Sequence, residues 1–199
     1  MKYIVGIDEV GRGPIAGPVA VGAFVILDND ILNEFKNVRE SKQLSFKKRE
    51  IWFDKIQEFK QQNKINFSVN FQSEKIIDTM GISFAIKSAL ESSLNDLDLD
   101  PEKVEVLLDG GLKAPDKFKN QKTIIKGDEK EIVIALASIC AKVIRDRVMI
   151  EFSNKYDKYS FEKHMGYGTK AHYEAIGKYG ITPIHRTSFL SKFLQKKHK

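Results

Sequence analysis

Three places in this chain set an acid where a predicted strand runs out into glycine, and those acids are the residues best suited to chemistry. The apolar run Tyr3 to Ile7 reads as a buried strand ending in Asp8 and Glu9, followed at once by Gly11-Arg12-Gly13-Pro14. Val104 to Leu108 is a second such run, closed by Asp109 before Gly110-Gly111. Thr123 to Lys126 reads as a short third strand with Gly127-Asp128 just past it, while Glu129 and Glu131 read as surface acids. Neighbouring strand residues point to opposite faces, so one of Asp8 and Glu9 should face the interior or a cleft. A carboxylate there needs a cation, a cluster of donors or a proton. Collected in space, four oxygen ligands without cysteine favour magnesium or manganese over zinc. Two such ions, roughly 3.5–4 Å apart, can activate a water and stabilise the leaving oxygen in phosphoryl transfer. The plain alternative for the first pair is an Asp-Glu step that merely begins a turn.

The loop after Asp8-Glu9 has a second possible use, because Gly11-x-Gly13-x-x-x-Gly17 loosely matches a dinucleotide fingerprint. Pro14 and Pro18 keep it from flowing into a helix, and the chain continues as PVAVGAFVIL, which reads as a strand from Pro18 to Leu27. Two acids at the mouth would also repel a pyrophosphate unless a metal lay between them. Strand, turn, strand is the reading adopted.

The elements that must carry these residues follow from periodicity. Asp28-Asn29-Asp30 predicts a turn and Ile31 to Val38 a short helix, before the polar connection Glu40 to Ser45. Ser45 is a plausible N-cap for a helix reaching about Gln61, with Ile51, Trp52, Ile56 and Phe59 as its apolar stripe. Lys64 to Phe71 alternates as a strand, and Ser73 caps a helical turn through Met80. A helix from Ile82 to about Leu97 turns Ile82, Ile86, Ala89, Leu90, Leu94 and Leu97 inward. Leu112 to Lys122 is a loop, and an Ala-rich helix runs from about Glu131 to Phe152. A last helix spans Lys170 to about Tyr179. Strand-helix alternation after an initial hairpin indicates an α/β protein with a mixed central sheet flanked by helices.

At 199 residues and 42% hydrophobic, the chain suits one sizeable domain over residues 1–199. No segment resembles a membrane span, and the N-terminal apolar run is broken too early for a signal peptide, so a cytoplasmic protein is expected. The single cysteine, Cys140, excludes an internal disulfide and a cysteine-rich zinc site. The net charge of +6 is uneven: residues 153–199 hold ten Lys or Arg against three Asp or Glu, with all four histidines and five of the six tyrosines. A basic, aromatic-rich segment beside a near-neutral, acid-bearing body suggests a polyanion held by one part and worked on by the other. The plainer reading is a solvated lysine-rich surface. None of the histidines shows the helical spacing of a zinc site.

The chain resembles the bacterial type 2 ribonucleases H, ribonuclease HII, over nearly its whole length. The likeness is carried by Asp8-Glu9-Val10-Gly11-Arg12-Gly13-Pro14, Glu40-Ser41-Lys42-Gln43-Leu44-Ser45, Leu108-Asp109-Gly110 and Lys126-Gly127-Asp128. It continues through Ala137 to Asp146, Lys163-His164-Met165-Gly166-Tyr167-Gly168-Thr169 and His185-Arg186-Thr187-Ser188-Phe189. The resemblance implies a ribonuclease H-like fold with a C-terminal helical and loop appendage over 153–199. It implies cleavage of the RNA strand of RNA-DNA hybrids, and of DNA duplexes on the 5′ side of single embedded ribonucleotides, leaving 3′-hydroxyl and 5′-phosphate ends.

By motif, Asp8, Glu9, Asp109 and Asp128 take the catalytic positions and bind two ions, Mg2+ or Mn2+. Gly11, Arg12 and Gly13 would touch the 2′-hydroxyl and flanking phosphate, as glycines allow close backbone approach and the 2′-hydroxyl separates RNA from DNA. Tyr167 would pack on the sugar, although as a bare residue it reads better as an aromatic buried between glycines. The resemblance further implies a phosphate contact at Lys42, with Ser138, Lys142 and Arg186 as additional substrate contacts. Gln43 stands where a second lysine is frequent, and Cys140 where an aliphatic residue is usual. Ribonuclease HIII typically carries an extra N-terminal domain and lacks the arginine between the loop glycines, so Arg12 and the early first strand favour type 2. A monomer is expected. The rival from another class is a catalytically silent hybrid-binding protein, which requires the acids to be dispersed.

Overall fold

The structure, a computed structural model, describes residues 3–38 and 45–196. The expected polar connection over 40–44, Lys42 with it, lies outside the described residues, as do 197–199. Five strands form one sheet in the order β3-β2-β1-β4-β5: β1 Tyr3–Val10, β2 Val19–Ile26, β3 Ile65–Gln72, β4 Val104–Asp109 and β5 Gln121–Ile124. β1, β2 and β3 pair antiparallel, while β4 runs parallel to β1 and β5 parallel to β4. β2 is buried from end to end, which is why its sequence reads as an unbroken apolar run rather than an alternating one.

One face of the sheet is covered by α2 Glu74–Met80 and α3 Ile82–Asn95, whose Ile77, Ala85, Ile86, Ala89, Leu90 and Leu94 pack on Val5, Ile7, Val106 and Leu108. The other face is covered by α1 Phe46–Gln61 and the long α5 Ile132–Lys155. α5 presses hardest where the sheet has no side chain: a Cβ on Gly6 would collide with the Val133 backbone, and one on Gly22 with the Ala137 carbonyl. That close approach sets the α5 side chains, Ser138 among them, against the ends of β1 and β4.

Several sequence expectations shift. The α1 stripe centres on Phe53 and Ile56, with Trp52 and Phe59 half-buried; Ile51 is 60% exposed, since two residues before Phe53 it lies about 200° round the helix from it. Ser45 and Ser73 do cap α1 and α2, accepting from Lys48 N and Ile76 N. The segment expected as a helix over 31–38 is a 3-10 helix, Asn29–Phe35, capped by Asp28. β5 begins at Gln121, not Thr123: the Gln121 amide bonds Ala114 and Phe118 backbone and anchors the strand early, leaving Ile125 exposed. Before α5 stands a separate turn, α4 Gly127–Lys130.

The C-terminal segment adds α6 Phe161–His164, α7 Lys170–Tyr179 and α8 Thr187–Lys196. Of these only α7 was expected. The segment has its own apolar cluster, with Tyr159, Phe161, Ile176, Ile184 and Leu190 closing on Ile15, Ala16 and Met149 of the body.

Candidate active site

The parallel pairing of β1 with β4 sets Ile7 opposite Leu108, so the next step brings Asp8 beside Asp109 on neighbouring strands, roughly 4.8 Å apart. Both leave the face that Ile7 and Leu108 give to α3 and turn toward α5. Asp8 is the acid that faces inward, at 4% exposure, and it accepts hydrogen bonds from Glu9 N at 2.8 Å and from the Ser138 side chain. Burial pushes its carboxyl up to about 8; Ser138 works against the rise, and the charges of Asp109, Glu9 and Asp128 each add to it. Glu9 is also held above the usual carboxylate range by burial, although Arg12, 3.4 Å away, pulls it down.

Asp109 Oδ1 accepts from Gly127 N at 2.6 Å. This bond ties the end of β4 to α4 and so places Asp128. Asp128 falls just past β5 and ahead of α5, as the sequence places it, and is there the second residue of α4; it is buried and is not among the residues that line the cleft. It still makes itself felt at Asp8. Among the described residues no group of three or more His, Cys, Asp or Glu side chains closes into a ready metal cage. Magnesium-type ions do not need one, as they keep several waters and are completed by substrate phosphates. The donor set fits such an ion: it is all carboxylate oxygen, and its mutual repulsion is what a cation relieves.

A cleft of about 380 Å³ opens over the acids, lined by Asp8, Glu9, Asp109, the Gly11-Arg12-Gly13 loop, Ser138, Lys142 and Tyr167. Tyr167 is 46% exposed, and a Cβ on Gly13 would stand 3.7 Å from its ring. Lys142 reaches the cleft while held by Asp146 at 2.8 Å. Arg49 also lines it, a residue the sequence reading missed.

Arg186 is a correction. Expected to touch substrate, it is fully buried and donates instead to the carbonyls of Gly11 at 2.7 Å, Gly17 at 2.9 Å and Arg12 at 3.1 Å. Buried Arg145, not singled out from sequence, donates from the α5 side to Pro18 O, where that loop ends, and to Met165 O of the C-terminal segment. Gly11 has φ +88°, and a Cβ there would run into the Arg145 guanidinium. Arg145 lies within the Ala137 to Asp146 motif, but with Lys142, Asp146 and Arg147 as charged neighbours on α5 nothing in the sequence marks it out as the buried one.

Carboxylates gathered at the ends of central strands, in a mixed sheet flanked by helices, define a class: the divalent-metal hydrolases of phosphodiesters built on the ribonuclease H-like fold. The ribonuclease HII family model matches residues 5–192. A ribonuclease HII of Caldicellulosiruptor bescii is 45% identical over 193 residues, which cover 97% of this chain and 89% of that one. Among solved structures, the ribonuclease H2 of Pyrococcus horikoshii superposes with a TM-score of 0.75 at 25% identity, covering 99% of each chain. A Bst ribonuclease HIII in complex with Mn2+ shares the fold at a TM-score of 0.70 and 18% identity, covering all of this chain and 71% of its own. The chain belongs to the ribonuclease HII family, and is thereby a metal-dependent endoribonuclease acting on the RNA of RNA-DNA hybrids.

Proposed function

We propose that this endoribonuclease also cuts duplex DNA on the 5′ side of a single ribonucleotide, with Asp8, Glu9, Asp109 and Asp128 holding two divalent ions, Mg2+ or Mn2+. The observation that carries the assignment is the in-register meeting of Asp8 and Asp109 beneath an open cleft whose far wall is Tyr167 and the glycine loop. When bound, such ions activate water for in-line attack at phosphorus and stabilise the departing 3′ oxygen, giving 3′-hydroxyl and 5′-phosphate ends. The Mn2+ held by the ribonuclease HIII neighbour is in keeping with an oxygen-ligand site.

The chain's own groups do the rest. A trans peptide sets each N–H opposite its carbonyl. With the Gly11 and Arg12 carbonyls drawn inward by Arg186, the Arg12 and Gly13 N–H groups are aimed toward the cleft, where they can meet the 2′-hydroxyl and its phosphate. Tyr167 packs over the sugar, and Ser138, Lys142 and Lys42 contact phosphate oxygens. Arg12 shields Glu9 until substrate arrives. Residues 1–199 act as one catalytic unit, because the cluster around Phe161 is completed by Ile15, Ala16 and Met149 of the body. The enzyme works as a cytoplasmic monomer, since every residue invoked comes from one chain and the substrate is the cell's own DNA. Among the described residues no helix is long and apolar enough to cross a membrane.

Asp8→Asn tests the metal assignment. It should keep hybrid affinity and lose cleavage by on the order of 10³-fold, about 4 kcal/mol of transition-state stabilisation. Near-normal turnover by the variant would remove the assignment.

A further inference from the structure

Two buried histidines, His172 at 0% exposure and His185 at 2%, lie outside the acid cluster and have no part in the chemistry above. Their hydrogen bonds fix their protons from both ends. The backbone N–H of Thr182 donates to His185 Nδ1 at 2.8 Å, and Thr182 Oγ1 lies 2.9 Å from the same nitrogen. A backbone N–H only donates, so His185 Nδ1 is bare and the ring proton is on Nε2. At the other end His172 Nδ1 stands 2.9 Å from the carbonyl of Tyr167. A carbonyl only accepts, so His172 carries its proton on Nδ1 and leaves Nε2 bare. The two Nε2 atoms are 3.0 Å apart, and each end independently requires that His185 donate to His172. The result is a one-way chain of donation from Thr182 through both rings to Tyr167. It exists only while both rings are neutral, and burial keeps them so, pushing each down to about 4.

The chain ends on the backbone of the residue whose ring stands over Gly13. Its start lies next to the other half of the cleft wall, for His185 bridges to Ala16 and the adjoining Arg186 grips the carbonyls of Gly11 and Arg12. One short stretch, Thr182 to Arg186, therefore holds both the glycine loop and Tyr167. We propose that the His172–His185 pair is a positioning device that registers Tyr167 against the Gly11-Arg12-Gly13 loop, and so sets how sharply a lone ribonucleotide is recognised in DNA. The inference rests on the reading of Tyr167 as the group that packs on the sugar.

The experiment compares cleavage of a duplex carrying one ribonucleotide with cleavage of a hybrid carrying a long RNA tract. The enzymes are the full chain and its variants Tyr167→Ala, His172→Leu and His172→Asn, each shown to be folded by its melting curve. A sugar contact displaced by about an ångström costs on the order of 10- to 100-fold. His172→Leu should lose that much in kcat/KM on the single-ribonucleotide duplex, chiefly in kcat, and much less on the long tract. His172→Asn, whose amide keeps a donor for the Tyr167 carbonyl but lacks the second nitrogen that accepts from His185, should recover only part of it. If Tyr167→Ala loses the preference while His172→Leu retains it, the positioning role is overturned and Tyr167 keeps its place. If Tyr167→Ala itself retains the preference, the reading of Tyr167 falls and takes the proposal with it. Full recovery by His172→Asn would show the link to His185 to be idle, and no recovery at all would reduce the pair to packing; either result overturns the proposal. Nitrogen-15 spectra of the unmutated protein at neutral pH give an answer independent of any variant. They should show His172 protonated at Nδ1 and His185 at Nε2, and the opposite tautomers would break the chain.

Discussion

Arg186 illustrates how a residue can matter to a site without reaching it. A guanidinium presents a planar fork of donors, and here the fork spans three backbone carbonyls of one loop, at Gly11, Arg12 and Gly17. The charge is buried, with Glu74 near enough to favour it. Arg186→Leu would orphan three carbonyls together, and we expect a loss of about 3–5 kcal/mol in urea unfolding. Arg186→Lys should recover only part of this, because an ammonium is a point donor that cannot span the loop. A stable Arg186→Leu protein with weakened hybrid binding would instead make Arg186 the phosphate contact that the family motif implies. The motif marks the position, but one sequence cannot distinguish a guanidinium facing substrate from one facing carbonyls, since both uses want the same group.

At the scale of elements, the site depends on how closely α5 lies on the sheet. Gly22 pairs with Asp8 across β1 and β2, and its missing side chain is the space that the Ala137 carbonyl occupies. Gly22→Ala should force α5 outward, carrying Ser138 away from Asp8. Overpacking of this kind costs about 1–3 kcal/mol, so thermal melting should fall along with turnover; a variant of unchanged stability and activity would show that the helix can yield. Elements announced by local signals were legible in the sequence: β2 and β3 by composition and alternation, α1 and α2 by their serine caps, and α3 by its stripe. Asp8, Glu9 and Asp109 were legible as strand-end acids because strand direction alone brings them together. α8 was not legible, for its first N–H groups, on Thr187 and Ser188, are met by Asp78 of α2, a cap 109 residues away for Thr187. Asp128 was legible as an acid just past the third strand but not as a buried one, for its burial depends on the bond from Gly127 to Asp109, a contact that no local pattern announces.

For the whole molecule, the C-terminal segment is where charge and pH should act. His172 is packed by the rings of His164 and Phe161, and His185 by Tyr159 and Phe161, while Glu74, Lys75 and Asp78 line the shallow pocket outside His185. Both rings titrate near 4 when folded, below the ordinary histidine value of 6.5. The unfolded chain therefore binds more protons between these limits, and stability present above pH 6.5 is lost as pH falls through about 4, by roughly 3 kcal/mol per ring. Hydrogen exchange at pH 5 should open α7 before the sheet; uniform loss of protection would mean that the pair is not the weak point. The same segment carries the net positive charge of the chain, ten Lys or Arg against three acids. A solvated basic surface and a phosphate-gripping one differ in one measurable respect, the release of counterions on binding. If the segment and cleft together engage about five phosphates, log affinity for hybrid should fall with log salt at a slope of about −4. Deleting positive charge at Lys163 or Lys170, both outside the acid cluster, should make that slope shallower by nearly one for each true contact while leaving kcat at saturating substrate unchanged. A slope near zero, unmoved by either change, would return the basic segment to plain solvated surface and leave substrate holding to the cleft alone.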